Sequence, residues 1–141
     1  MKNTVLLIDT NVVLDYLINR EPYAEGAQRI LHCCAEKRVK GYIAAHSITN
    51  IFYILRKHFS SVERRKMLLD LCELLEICGL QKTQVANALA NEEFDDLEDC
   101  IQAESAKTVQ ADYIVTRNVK DFAHSPVVAI PPDEFLKTII R

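Results

Sequence analysis

Several carboxylates in this chain stand where a short apolar run ends or where a helix is predicted to begin. Asp9 directly follows the apolar residues 5–8, and Asp121 lies shortly after a later run of the same kind. Asp96 and Asp99 are three residues apart at a predicted helix start, so their side chains share one face. Oxygen donors favour Mg²⁺ or Mn²⁺ over Zn²⁺. These residue types therefore predict a hard-metal site, whose chemistry is the activation of water for attack on a phosphodiester.

The sequence pattern also predicts a scaffold that can position these side chains. Four short continuous apolar runs occur, at residues 5–8, 41–45, 113–115 and 127–130. Such runs are typical of strands buried on both faces, as in parallel sheets. Helical periodicity lies between them, with Ser47 as one predicted cap and one long helix from Ser60 or Ser61 to about Ile77, ended by Gly79. This alternation predicts a single α/β domain over residues 1–141 with a mostly parallel sheet.

The carboxyl ends of parallel strands meet at one edge of a sheet, where open α/β folds bind their ligands. Asp9 follows the first predicted strand, and Thr116 and Asn118 follow the third. Asn50 lies in the first turn of the helix after the second strand. We therefore expect these polar residues to meet in one cleft. Basic side chains predicted at its rim, where they would hold the flanking phosphates of a nucleic acid, are Arg117, Lys120, Arg56 and Lys57.

Each acidic residue also has a purely structural interpretation. Asp9 and Asp96 can cap helices, and Asp99 can stabilise a helix N-terminus. These interpretations weaken when they are combined, because two carboxylates about 5 Å apart repel by about 3 kcal/mol at an effective dielectric of about 20. At least one of them must then hold a proton or share a counterion. A divalent cation satisfies that requirement.

The composition excludes several other classes of protein. The chain is 49% hydrophobic and 26% charged with only 3 Gly, which excludes a disordered or low-complexity chain. The net charge of −3 shows no basic excess of the kind that marks many nucleic-acid-binding domains. No apolar run reaches the ~18 residues of a membrane span, and the apolar part of the N-terminus is too short for a secretory signal. We therefore expect a cytoplasmic protein without membrane association.

Three parts of the chain resemble the PIN-domain family. They are residues 6–17 (LLIDTNVVLDYL), residues 96–103 with 111–122 (DLEDCIQA and ADYIVTRNVKDF), and residues 126–136 (PVVAIPPDEFL). Their order and spacing extend over nearly the whole chain. The resemblance implies a three-layer α/β/α sandwich with a parallel sheet of about five strands. It also implies a Mg²⁺- or Mn²⁺-dependent ribonuclease of the toxin type found in bacterial toxin–antitoxin pairs.

The resemblance also implies roles for individual residues. Asp9 matches the first acid of the family, Asp99 the acid on the late helix, and Asp121 the last acid. The polar residues implied as support are Thr10 and Asn11 in the first loop, and Thr116 and Asn118 after the later strand. RNA is then the implied substrate, and its phosphodiester would be hydrolysed by a metal-activated water.

Asn50 departs from the family pattern, which usually has a glutamate on the helix after the second strand. An amide oxygen can still accept a hydrogen bond, but it brings no charge to a cation. Asp96 or Glu98 can compensate for the missing charge at Asn50, and we expect Asp96 to be one of the metal ligands. The alternative function is therefore a PIN-like module that binds RNA or protein with weak or no catalysis.

Three other families with a similar beginning fit less well. Haloacid-dehalogenase phosphatases need a second Asp two residues after the first, where this chain has Asn11. Receiver domains have their acceptor Asp after a middle strand rather than the first. Dinucleotide-binding domains need a Gly-rich turn after the first strand, which this chain lacks.

Protein partners are expected from both the resemblance and the apolar residues of the chain. The resemblance implies a cognate antitoxin. Apolar residues on the helices predicted within residues 48–77, such as Ile54 and Phe59, are expected to form the surface of a homodimer or of an antitoxin complex.

Overall fold

The computed structural model describes residues 3–139, which form a five-stranded, all-parallel sheet and its flanking helices. The strands are β1 (Thr4–Ile8), β2 (Val39–Ala44), β3 (Glu76–Cys78), β4 (Tyr113–Val115) and β5 (Ala129–Ile130). The α-helices are α1 (Thr10–Leu17), α2 (Ala24–Ala35), α3 (Ala45–Ile54), α4 (Ser61–Leu74), α5 (Lys82–Ala90), α6 (Leu97–Thr108) and α7 (Pro132–Ile139). Short 3₁₀ turns follow α3 at Leu55–Lys57 and β4 at Val119–Phe122.

The strand order β3-β2-β1-β4-β5 places the first strand in the middle of the sheet. The chain builds one half outward through β2 and β3 and then crosses back to add β4 and β5 on the other side of β1. The order therefore reverses between β1 and β4, which pair in parallel with Leu6 opposite Tyr113 and Ile8 opposite Val115. In folds of this type the crevice beyond the carboxyl ends of those two strands is the usual ligand site.

The alternation of side chains along β1 explains why both faces of the sheet are covered. Leu6 and Ile8 point to one face, where they join the larger core cluster formed with α1, α2, α3, α4 and α7. Leu7 points to the opposite face, where it packs with α6 residues such as Ala103 and Ala106. A continuous apolar strand is thus buried on both sides, as predicted. The α/β class and the five-stranded parallel sheet between helical layers are confirmed.

Three local predictions about helix and strand boundaries are wrong. The long helix α4 ends at Leu74 instead of reaching Ile77, and residues 76–78 form the edge strand β3 instead. Gly79 therefore follows a strand and does not end the helix. Ser47 does not cap α3, because that helix begins at Ala45 and Ser47 is buried within it.

No helix within residues 3–139 combines the length and apolar composition that crossing a membrane requires.

Candidate active site

Asp9 is the most firmly held carboxylate at the carboxyl edge of the sheet. It is the N-cap of α1, and its Oδ1 accepts a hydrogen bond from the backbone N of Thr10 over 2.7 Å. Oδ1 also accepts from Nε2 of Gln102 over 2.7 Å, and Oδ2 accepts from Oγ1 of Thr116 over 2.7 Å. The side chain is therefore fixed by donors from three separate segments of the chain.

The pKa of Asp9 is raised above its ordinary value, mainly by burial. Hydrogen bonds from Thr116 and Thr10 act in the opposite direction, while the charges of Glu98 and Asp121 raise the pKa further. Because burial and neighbouring carboxylates both disfavour the ionised form, a nearby cation would be stabilised at this position.

A buried polar network connects Asp9 to α3 and α6. Oγ1 of Thr10 donates to Oγ of Ser47 over 2.8 Å and accepts from Nε2 of Gln102 over 3.2 Å. On the other side, Oγ1 of Thr116 accepts from the backbone N of Asn118 over 3.0 Å. The first turn of α1, the first turn of α3, the middle of α6 and the end of β4 are thus tied to one carboxylate.

The other two expected family acids lie close enough to Asp9 for their charges to act on one another. The pKa of Asp99 is raised to about 7, first by burial and then by the charges of Asp96, Asp9, Asp121 and Glu98. Asp121 is exposed on the 3₁₀ turn after β4. The charges of acids from three chain segments therefore act on one another at the carboxyl edge of the sheet.

Asp96 has a different local role from the other acids. It is the exposed N-cap of α6, and its Oδ1 accepts from the backbone N of Asp99 over 3.1 Å. The Asp96 carboxylate therefore has the helix-capping role that the sequence also allowed.

Asn50 and His46 lie on α3, one turn apart, beside this cleft. Asn50 is partly buried. Both ring nitrogens of His46 are shielded from solvent and lack a hydrogen-bond partner among residues 3–139. Burial lowers the pKa of His46, and the charge of Glu98 opposes that shift. His46 is therefore an uncharged neighbour of the acids. Asn11 on α1 likewise has a buried Oδ1 without a partner in that described range.

The residues present fit a hard divalent cation in their chemistry, although they are not arranged as a complete ligand set. Within residues 3–139, no three Asp, Glu, His or Cys side chains already form a group that holds a metal. The donors are nevertheless all oxygen atoms. Their negative charges help to raise one another's pKa, and a shared cation would relieve that repulsion. A buried acceptor, Oε1 of Gln102, is also left without a partner beside Asp9. Asp99 is partly exposed and Asp121 is exposed, so their side chains can turn toward a cation.

The four basic residues expected at the rim lie in three different environments. Arg117 is withdrawn from the cleft, because its guanidinium donates to both oxygens of Asp15 over 2.6 and 3.1 Å and stacks on the ring of Tyr23 at 3.9 Å. Arg56 stacks on Tyr53 at 3.7 Å and lies with Lys57 about ten residues beyond the cleft end of α3, roughly 15 Å along its axis. Lys120 is exposed next to Asp121. Lys120 alone lies beside the cleft.

Gln102 and Ser47 are site residues that the sequence reasoning missed. Gln102 is 0% exposed in the middle of α6, a position where an apolar residue is the normal occupant. The spacing in the sequence does indicate its position, because Gln102 lies three residues after Asp99 and four after Glu98 and therefore on the same helix face. The sequence predicts Ser47 only as a helix cap, and no local pattern indicates its contact with Thr10.

Comparisons with known proteins are consistent with this fold. A family model described as PIN domain matches residues 5–120. No curated protein matches the chain. Among solved structures, a chain of the VapBC2 assembly from Rickettsia felis, bound to a DNA fragment from its promoter, is 20% identical with a TM-score of 0.69, covering 91% of this chain and 98% of that one.

Two further solved structures are similar over the same extent. A chain of a toxin–antitoxin complex from Klebsiella pneumoniae is 23% identical with a TM-score of 0.68, covering 90% of this chain and 97% of that one. VapC20 from Mycobacterium tuberculosis, a toxin that cleaves the sarcin–ricin loop, is 11% identical with a TM-score of 0.67, covering 87% and 96%. At these identities the structures establish likeness of fold.

Proposed function

This chain belongs to the PIN-domain family, and on that premise we propose that it is a Mg²⁺- or Mn²⁺-dependent endoribonuclease of the toxin type. The observation that supports the proposal is the pKa of Asp99, which is raised to about 7 first by burial and then by the charges of Asp96, Asp9 and Asp121, the last two from other chain segments. A toxin that cleaves the sarcin–ricin loop is among the proteins of similar fold. RNA hydrolysis is the chemistry that best accounts for a cleft of mutually repelling carboxylates.

Asp9, Asp99 and Asp121 are the residues that would hold the cation. When bound, a divalent cation supplies Lewis-acid activation of water and neutralises charge on the phosphodiester. Thr116, Gln102 and the backbone of Thr10 hold Asp9 in one orientation, so that it need not reorganise when RNA binds. Lys120 would bind a flanking phosphate.

The proposal is tested by incubating single-stranded RNA with the protein in Mn²⁺ and in EDTA. We expect cleavage only with Mn²⁺, and a loss of at least about a hundredfold in Asp9→Asn and Asp99→Asn, because the cation contributes several kcal/mol to the transition state. Asp95→Asn is the matched control: it removes an exposed carboxylate of the same acidic segment and should retain activity. Equal cleavage in EDTA, or full activity in Asp9→Asn, would contradict the proposal.

The alternative is a PIN-like module that binds RNA or protein without cleaving RNA. The neutral Asn50 and the incomplete ligand set within residues 3–139 favour it. It predicts RNA binding that is independent of Mn²⁺ and leaves the RNA intact in the same assay.

A protein partner is part of the proposed toxin function. Chains of similar fold occur in toxin–antitoxin complexes. An apolar groove of about 510 Å³ lies between α3 and α4, lined by Ile48, Phe52, Arg65, Leu68, Leu69 and Cys72. Leu69 is 66% exposed, and exposed apolar surface of this kind marks an interaction site. Arg65 at its border favours an antitoxin segment that combines apolar and acidic residues.

The predicted homodimer is tested on the same groove by sedimentation of the wild type and Leu69→Glu. If two copies pair through this groove, the wild type sediments as a dimer and the variant as a monomer. A monomeric wild type would contradict the homodimer and leave the groove for the antitoxin.

A further inference from the structure

The face of α6 that points into the cleft is defined by Gln102. This side chain is fully buried, and its Nε2 contacts Oδ1 of Asp9 over 2.7 Å and Oγ1 of Thr10 over 3.2 Å. Residues three and four positions apart in a helix lie on the same face, and their Cβ atoms tilt toward the helix N-terminus. The residues one turn before Gln102, which are Glu98 and Asp99, therefore lie above the end of β1.

Glu98 differs from the neighbouring Asp96 in having no structural use for its carboxylate. Asp96 is exposed and caps α6 through the backbone N of Asp99. Glu98 is partly buried, and its carboxylate makes no hydrogen bond or ion pair within the described part of the chain, residues 3–139. Both oxygens of the Glu98 carboxylate are therefore available to a group from outside the chain.

A second, independent observation points to a ligand in the same place. Oε1 of Gln102 is a fully buried acceptor with no hydrogen-bond partner among residues 3–139, although the same side chain is fixed through its Nε2. A buried acceptor that the chain leaves without a partner is normally satisfied by a donor from outside it. A hydrated divalent cation brings both the positive charge and the O–H donors.

The hydrogen-bond network agrees with this placement. Gln102 contacts Asp9 and Thr10, and Thr10 in turn donates to Ser47 on α3. The face of α6 that carries Glu98 therefore adjoins both the end of β1 and α3. Asn50, one turn along α3 from His46, has no charge to contribute.

We propose that Glu98 is a carboxylate ligand of the divalent cation together with Asp9 and Asp99, so that α6 supplies the acid that α3 lacks at Asn50. The inference rests on the proposed function, because it assumes the cation. The sequence left two acids, Asp96 and Glu98, that could compensate for Asn50. Of these two, the cation ligand is Glu98 rather than Asp96.

The test measures Mn²⁺ binding to the purified full chain by calorimetry and by electron paramagnetic resonance, without RNA. We expect Glu98→Gln to weaken binding at least about tenfold, since even residues that only support metal ligands change affinity by about that factor. Glu104→Gln is the matched control, because Glu104 lies on another face of α6.

A second measurement shows that a loss of binding is not a loss of fold. In EDTA, Glu98→Gln should melt at a higher temperature than the wild type, because it removes repulsion from the cleft. The double variant Glu98→Gln with Asn50→Glu should recover Mn²⁺ affinity. If the double variant binds Mn²⁺ as weakly as Glu98→Gln does, an acid on α3 cannot take the place of the acid on α6, and the inference is wrong.

The outcomes separate this inference from the proposed function. If Mn²⁺ binding and RNA cleavage need Asp9 and Asp99 while Glu98→Gln binds like the wild type, the inference is wrong and the function stands. If the wild type neither binds Mn²⁺ nor cleaves RNA, the proposed function is wrong, and the inference falls with it.

Discussion

Nε2 of Gln102 donates a hydrogen bond to Oδ1 of Asp9 over 2.7 Å, although 93 residues separate the two in the chain. The contact links the middle of α6 to the end of the central strand, across the point where the strand order reverses. It fixes the orientation of the carboxylate around which the proposed site is built.

Replacing Gln102 with leucine should therefore affect the site more than the fold. The variant loses a donor to Asp9 but also removes the buried, unpaired Oε1, and these effects on the free energy of unfolding oppose each other. We expect a stability within about 1 kcal/mol of the wild type but Mn²⁺ affinity about tenfold lower, measured by urea unfolding and calorimetry. Gln28→Leu on exposed α2 surface is the control. Unchanged Mn²⁺ affinity in Gln102→Leu would show that Gln102 does not position the site.

Substitutions of Arg117 and Lys120 should have different effects, the first on the stability of the fold and the second on RNA binding. Asp15 is 1% exposed and is held by Arg117 and Arg20. Arg117→Met should lower the free energy of unfolding by about 3 kcal/mol, because it leaves a buried carboxylate with only one cation.

Lys120→Ala should change stability by less than about 0.5 kcal/mol, because Lys120 is an exposed side chain. It should weaken RNA binding and lower the salt dependence by about one counterion. Denaturant titrations and RNA binding at two salt concentrations check both variants. A stable Arg117→Met that has lost RNA affinity would instead place Arg117 at the RNA.

The raised pKa of Asp99 predicts how the stability of the metal-free protein depends on pH. The folded state holds this proton up to about pH 7, whereas the unfolded chain releases it near 3.8. The contribution to folding is thus complete below 3.8 and is lost as the pH rises through about 7. In EDTA, the wild type should lose about 1 kcal/mol more than Asp99→Asn between about pH 5 and about pH 8, a figure reduced for solvent screening of a partly exposed group. Urea unfolding at both pH values checks it, and Asp95→Asn should follow the wild type.

Gly41 on β2 should not tolerate a side chain. A Cβ there would lie 2.7 Å from Sγ of Cys34 and 2.7 Å from Cδ2 of Leu75, both of which are buried in the core. Gly41→Ala should lower the free energy of unfolding by about 1–3 kcal/mol through overpacking. Gly79→Ala, with no atom within 4 Å of the new Cβ, should be neutral or slightly stabilising. Equal effects of the two substitutions would contradict the close packing of Cys34 and Leu75 on β2.

The edge strand β3 shows why the sequence pattern misassigned part of the fold. Leu68, Leu71 and Leu75 have helical spacing, and Ile77 lies three residues after Leu74, so the pattern predicted one helix to about Ile77. The chain leaves the helix after Leu74 because residues 76–78 pair with β2, Ile77 opposite Ile43. A strand of three residues is too short to show an alternation of its own, so only the partner strand reveals it.

The sequence by itself determined the α/β class, the likeness to the PIN-domain family and the acids at the strand ends. Each of these follows from local spacing: continuous apolar runs, helical periodicity, and an Asp directly after a strand. Only the tertiary structure decided which polar side chains meet. It joined Gln102 and Ser47 to the Asp9 network, used Asp96 as a cap, left Glu98 unpaired in the cleft, and withdrew Arg117 into an ion pair with Asp15. The physical reason is that a hydrogen bond or ion pair depends on the distance between segments far apart in the chain, and no local pattern encodes that distance.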